Sequence, residues 1–352
     1  MDLEPLCPQE FAAETVYLNS AVMGLPPRRA VAAMAAVTAE WAAGRLHAPD
    51  FDGQVNRTRA AFARLVGLRE GDVAIGATAA PLVGAVATAL PEGAEVLLAE
   101  GEFTSVTGPF QHRPGLRVRQ APLERLAEAV SERTALVAVS AVQSADGRVA
   151  DLAAIREATR AHGARLLVDA TQALGWADLR DTGADYVVAA AYKWLLAPRG
   201  VAFLGIAPRA AEGLRPVAPG WYAGEDPWAN CYDRIELAAS ARRFDSSPVW
   251  LCFAGAVESL ALIEETGTER IGAHNLALAA YFREGLRAIG LRPLDQPRSA
   301  IVSVPGLGDA AKALETAGVR ASVRAGNLRT GFHLYNGQGD ADAALAVLRK
   351  LT

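Results

Sequence analysis

Lysine is almost missing from this 352-residue chain: of its 35 basic residues only Lys193, Lys312 and Lys350 are lysine, and the rest are arginine. A lysine that falls in an apolar run therefore stands out. Cysteine is equally scarce. Cys7, Cys231 and Cys252 form no C-x-x-C pair and cannot all pair, which argues against a disulfide scaffold or structural zinc site and fits a reducing cytoplasm. The five histidines (His47, His112, His162, His274, His333) lack metal-ligand and triad spacing, so no metal is expected. G-x-G-x-x-G, P-loop, G-x-S-x-G and H-E-x-x-H sequences are all absent. Those absences weigh against the dehydrogenase reading that a doubly wound sheet first invites. An excess of positive charge is missing too: net charge −4 and a pI of about 5.8 give no footprint for nucleic acid or an anionic membrane. The opening MDLEPLCPQEF has no basic region of the kind that begins a secretory signal. The long uncharged stretch between Asp72 and Glu92 is interrupted by Gly76, Thr78, Pro81 and Gly84, so it reads as strand, turn and buried helix, not as a membrane span.

What is present is the composition of a folded protein, 51% hydrophobic and 21% charged, with a length suited to roughly two domains. Residues 27 to 46 and 51 to 67 recur apolar at helical spacing. Short, continuous apolar runs follow at 94 to 100, 134 to 142, 164 to 170, 184 to 192 and 200 to 206. Such runs are buried strands, and helical patterns such as LERLAEAV and DLAAIREATRAHG alternate with several of them. The expectation is an α/β fold with a mainly parallel sheet covered by helices. After an irregular stretch from 207 to 248, two long helical patterns (about 249 to 265 and 268 to 289) lead into a smaller α+β tail. The expected organisation is an arm at 1–25, a large domain at 26–235 and a small one at 236–352.

In such sheets ligands bind beyond the carboxyl ends of the strands, so polar residues that end apolar runs are the first candidates. ARLLVDATQ places Asp169 and Gln172 after one run, and VVAAAYKWLLAPRG places Lys193 after a later one. A buried lysine is costly unless it is paired or chemically used, and desolvation lowers its pKa as a Schiff-base amine requires. An acid after one strand and a lysine after another suit a pyridoxal phosphate site: the lysine holds the cofactor and the carboxylate keeps the pyridine nitrogen protonated.

VDATQALG followed by ADYVVAAAYKWLLAPRGVAFL resembles the core of the class V, cysteine desulfurase-like family of pyridoxal phosphate enzymes (fold type I). The resemblance extends from YLNSAVMGLPP through GATAAPLVGAVATAL and RRFDSSPVW to LRTGFHLYN. It implies a seven-stranded-type sheet and a homodimer with a shared active site. Lys193 would carry the cofactor, Asp169 would meet the pyridine nitrogen and Gln172 the phenolic oxygen, and Phe103 would stack on the ring. Tyr192, Thr78 and the backbone at Ala77 and Thr78 would take the phosphate, helped by Ser247, or Ser246, of the neighbouring subunit. Arg329 would receive a substrate carboxylate, and Asn19, Trp221 and Trp250 would line the pocket.

The chain also departs from the desulfurases. No cysteine follows Cys252, the segment RASVRAGNLRTGF is too short for the loop that carries their sulfur-accepting cysteine, and Phe103 stands where many have histidine. The expected activity is therefore transamination of an amino acid or amine. A lyase, epimerase or decarboxylase of the same family is the alternative, and a non-catalytic binding protein is the alternative of another class.

Overall fold

The computed structural model describes residues 3–229, 231–232 and 234–352. Its first part contains strand β1 (Val16–Tyr17) and helices α1 (Arg28–Ala42) and α2 (Asp52–Val66). Next come β2 (Val73–Gly76), α3 (Ala79–Ala89), β3 (Glu95–Ala99), α4 (Thr104–Gln111), β4 (Arg117–Ala121), β5 (Thr134–Ser140), α5 (Leu152–Ala161), β6 (Arg165–Asp169), β7 (Tyr186–Ala190) and β8 (Ala202–Ile206). The last part holds α6 (Trp250–Thr266), α7 (Thr268–Ala288), β9 (Ile301–Val304), α8 (Ala310–Thr316), β10 (Val319–Arg320), β11 (Ser322–Arg324), β12 (Asn327–Gly331) and α9 (Gln338–Leu348).

Seven strands form one sheet in the order β2-β8-β7-β6-β5-β3-β4, in which β8 alone runs against the others. Alternate residues of the central strands feed two separate cores. Ile75, Val137, Val139 and Val168 meet α2 and α6 on one face, and Ala74, Leu136, Ala138 and Leu167 meet α3 and α4 on the other. Both faces are dry, which is why these strands read as unbroken apolar runs. Each fully buried Val, Leu or Ile contributes about 1.5–3 kcal/mol. β4 escapes that reading because it is the edge strand, RVRQA, with charged residues facing solvent. LERLAEAV makes only a 3-10 turn, Leu123–Arg125, instead of a helix. That turn already buries Leu123, Leu126 and Val130, and so short a segment has little helical stability of its own.

A third core surrounds the small antiparallel sheet β11-β12-β9 and contains Leu278, Phe282, Val302, Leu328 and Phe332. Core membership changes within α7, well after residue 235: Phe253, Leu260 and Ile263 of α6 still belong to the large-sheet core. The chain start is tied to the small sheet's side, where β1 pairs with β10 and Leu18 enters the third core. At the other end of the large sheet, a fully buried ion pair fastens the segment after residue 244. Arg59 donates to both carboxylate oxygens of Asp245 at 2.7 and 3.2 Å, and Asp245 also accepts the Ile75 N–H at 2.8 Å. Among the described residues no helix is long and apolar enough to cross a membrane.

Candidate active site

Strands β2, β3, β5, β6 and β7 all end at one edge of the sheet, and the residues just beyond them surround a cavity of about 310 Å³. β2 leads to Thr78, β3 to Phe103, β5 to Ser144, β6 to Asp169 and Gln172, and β7 to Tyr192 and Lys193. Lys193 is 5% exposed, and its amine has no hydrogen bond or ion pair among the described residues. Nζ lies 5.3 Å from the ring centre of Phe103 and 5.8 Å from that of Tyr192. Burial pulls the amine's pKa down to about 8. Asp169 opposes that fall, and Arg329, Arg324 and Arg199 add to it.

The backbone under Lys193 is held by an arriving strand of chain. Gly24 donates its N–H to the Tyr192 carbonyl at 2.9 Å, and a Cβ at residue 24 would lie 2.0 Å from the Lys193 carbonyl oxygen. Only glycine permits that crossing. Asp169 is buried beside the lysine, and burial raises its pKa to about 6 against the bonds from Thr171; Glu102 raises it further and Lys193 lowers it. Its Oδ1 accepts the Thr171 N–H at 2.8 Å, while the Thr171 hydroxyl accepts the Ala190 N–H at 3.0 Å, joining the ends of β6 and β7.

Gln172 is fixed on all sides. Its amide donates to the Ala21 carbonyl and to Ser144 Oγ, both at 3.0 Å, and its Oε1 accepts the Trp194 indole N–H at 2.7 Å. Glu102 accepts from the Phe103 N–H at 2.9 Å, the Ser140 N–H at 2.7 Å and the Gln143 amide at 3.0 Å, as well as from the Ser140 hydroxyl. These bonds set the start of α4 and hence Phe103, which is 43% exposed and borders the cavity. At the start of α3, Thr78 has the extended backbone of an N-cap residue, yet its hydroxyl makes no capping bond. Thr78, Ala79 and Ala80 border the cavity, so the free amide end of the helix lies at its wall.

Arg329, on β12, is 1% exposed and stands behind Ser144. Nη1 donates to the Ser144 carbonyl and, at 3.4 Å, to its hydroxyl; Nε donates to Ser322 Oγ at 3.2 Å. Nη2 is buried with no partner among the described residues, and none of their carboxylates pairs with the guanidinium. Burial lowers its pKa to about 9. A buried cation without a counterion is expensive, so this arrangement is ready for an anion.

The profile of the aminotransferase class-V family matches residues 16–342. The chain belongs to that family. Its fold is accordingly that of the fold type I pyridoxal phosphate enzymes, and pyridoxal phosphate is the family's cofactor. Among class V relatives, the uncharacterized aminotransferase YcbU of Bacillus subtilis strain 168 is 28% identical over 292 residues, 78% of each chain. Isopenicillin N epimerase of Streptomyces clavuligerus is 32% identical over 210 residues, 54% of this chain and 51% of that one. A cystine C–S lyase solved with its product cysteine persulfide superposes with a TM-score of 0.88 at 22% identity, over 96% of this chain and 98% of the other.

Not every residue expected at the class V site borders the Lys193 cavity. Arg329 reaches it through Ser144. Ser247 is exposed outside it, whereas Ala77 and Ser246 line a neighbouring, mainly apolar cleft of about 430 Å³ that Thr78 borders as well. Asn19 adjoins Gly331 with its Oδ1 buried and unpartnered. Trp221 packs against Trp228 with ring centres 4.8 Å apart and planes tilted by 56°, and the Trp228 indole and the Tyr222 hydroxyl both donate to Asp52. Trp250 lies on Phe51 at 5.8 Å, its indole N–H buried and unpartnered. The polar residues Glu102, Ser140, Ser144, Thr171 and Arg199 border or brace the cavity without having been expected there. Ser140 ends an apolar run just as Asp169 does, so the same strand-end signal points to it.

No cysteine borders the cavity. Cys7 is buried against Thr266, Cys231 is exposed, and Cys252 donates to the Arg199 carbonyl. Where the desulfurase loop was expected to be short, β11 and β12 form a hairpin with a two-residue turn, Ala325 (φ +48°) and Gly326 (φ +77°). Both residues have the left-handed backbone of a type I′ turn.

Proposed function

We propose that this class V protein transaminates an amino acid or related amine. The observation that carries the reading is the state of Lys193: a desolvated amine, unpaired among the described residues, that shares with Asp169 a cavity lined by no thiol. The donor set fits the family's cofactor, with a free amine, a buried carboxylate without a cationic partner, and the uncapped Thr78 hydroxyl beside the amide end of α3. When bound, pyridoxal phosphate supplies an electron sink that makes the substrate's α-hydrogen acidic.

The chain's own groups divide the remaining work. Lys193 holds the cofactor. Displaced by a substrate amine, its Nζ would be the group placed to take the α-proton and to deliver it, across the substrate nitrogen, to the cofactor carbon, the transfer that a 1,3-shift requires. Asp169 answers the charge of the ring nitrogen, Gln172 faces the phenolic oxygen, and Phe103 covers the ring. Tyr192 and Thr78 with the Ala77–Thr78 backbone bind phosphate, completed by Ser247 of a second subunit in a homodimer. Arg329 takes the substrate carboxylate through its unpartnered Nη2. Asn19, Trp221 and Trp250 shape the substrate's surroundings, and the protein acts in the cytoplasm. Phe103 carries no proton, so it offers no second base opposite Lys193, which favours transamination over a two-base inversion. The epimerase and lyase among the similar proteins support the second reading, elimination or epimerisation.

The test is a single half-reaction on yellow holoprotein. A productive donor should bleach the colour and release one keto acid per subunit, and an added keto acid should restore it. Continuous turnover without an acceptor, giving ammonia or an inverted stereocentre, would replace transamination with the second reading.

A further inference from the structure

Three arginines influence Lys193, and none of them has a carboxylate partner among the described residues. Arg329 is buried behind Ser144, as described. Arg199 borders the cavity with its guanidinium 5.2 Å from the centre of the Tyr192 ring. Arg324 is exposed, and among the described residues its guanidinium donates only to the carbonyl of its own neighbour, Val323. Other exposed arginines divide between those tied to acids, such as Arg45 to Glu40 and Arg64 to Glu264, and those with no acid among the described residues, such as Arg117 and Arg292, so what sets Arg324 apart is its place beside Arg329 and Lys193.

The hairpin fixes where Arg324 stands. Ser322 is the cross-strand partner of Arg329 and is bonded to it, so the two side chains share one face of the small sheet. Arg324 follows Ser322 by two residues and therefore lies on that same face, about 7 Å farther toward the turn. The opposite face, through Leu328, belongs to the third core. The turn itself is braced, since Gly308 donates to the Gly326 carbonyl at 3.0 Å and Gly306 to Asn327 Oδ1 at 3.2 Å. Two guanidiniums without acids among the described residues thus stand in a row on the hairpin, one behind Ser144 and one nearer the turn, and both act on the charge of Lys193.

We infer that the substrate is an amino acid with a second carboxylate, which Arg324 receives while Arg329 holds the first. This rests on the reading of Arg329 given above and extends it to substrate class. One charged group held at each end would orient the substrate's α-carbon as well as bind it, and would disfavour neutral side chains, which leave Arg324 unsatisfied.

The experiment is a spectral titration of holoprotein with L-aspartate, L-glutamate and L-2-aminoadipate, each beside an uncharged counterpart (L-asparagine, L-glutamine and L-norleucine). At least one diacid should bind about ten- to a hundred-fold more tightly than its counterpart. Arg324→Gln should collapse that ratio toward one, and Arg324→Lys should restore part of it. Equal or tighter binding of the uncharged compounds to the wild type, or a ratio that survives Arg324→Gln, overturns the inference while leaving the amino-acid site intact. If no amino acid of either kind perturbs the spectrum, the reading of the site falls and the inference falls with it.

Discussion

Two arginines of this protein are buried to the same degree, Arg59 and Arg329, each 1% exposed, and their surroundings could hardly differ more. Arg59 lies under the large sheet with Asp245 in a two-pronged pair and the Val73 carbonyl at 2.6 Å. Arg329 lies between the small sheet and the Ser144 loop with only neutral oxygens and one idle Nη2. Because an isolated charge is costly to bury, the pair with Asp245 closes that part of the fold, whereas Arg329, like the buried Arg283, is left among neutral oxygens with guanidinium nitrogens unpartnered; of the two, Arg329 is the one beside the Lys193 cavity. The first region holds the chain together; the second is the place proposed above for a substrate's carboxylate.

Removing one half of the completed pair should have the largest effect. Arg59→Ala strands Asp245 in the interior and should cost about 3–5 kcal/mol in denaturant unfolding, while Arg59→Met with Asp245→Leu recovers most of it. A loss below about 1 kcal/mol in the single variant would erase the contrast. Arg329→Ala should show the reverse profile. Carboxylate binding should weaken by about 1.5–3 kcal/mol, roughly ten- to more than a hundred-fold, with a smaller loss of apoprotein stability than Arg59→Ala causes. Calorimetric titration alongside unfolding separates the two effects, and unaltered affinity would move Arg329 to the structural class.

The cations near Arg329 leave a trace in pH. Lys193 is protonated below its lowered pKa of about 8, so the neutral amine fraction rises roughly tenfold per pH unit up to that point and then levels. Cofactor uptake by apoprotein, followed by absorbance, should track that curve. An inflection near the ordinary lysine value of 10.5 would mean that the amine is not desolvated. The smallest effect concerns the hairpin. Ala325 holds a φ of +48°, which burdens any residue with a Cβ, so Ala325→Gly should stabilise the protein by about 0.5–1 kcal/mol in thermal unfolding. A destabilisation would show that the turn is not strained.

The contrast between the two arginines was invisible in the sequence. With arginine so abundant, Arg329 was selected only through its resemblance motif, and nothing local marks Arg59, whose partner lies far along the chain. The central strands were legible because both their faces are dry. β4 was not, because an edge strand carries charges, and LERLAEAV misled because a short apolar periodicity is satisfied equally by turns. Asp169, Gln172 and Lys193 were readable from one rule, polarity at the end of a buried run. Glu102 and Ser144 were not, since their place at the cavity depends on bonds between loops that no single stretch of sequence contains.

The crossing of Gly24 over the Lys193 carbonyl has a consequence in time as well as in space. Residues 24 and 193 meet only after the segment that begins the chain has come back over the sheet, and β1 must find β10 near the far end of the sequence. Contacts so distant along the chain form slowly and late, because their loop-closure entropy is met before their reward. The sheet can therefore collapse around its apolar strands while the reactive lysine is still unseated. With Lys193 in the cofactor-holding role proposed above, capture of the cofactor would report completed folding: a chain that has not finished wrapping its own beginning across its middle has no fixed amine to offer.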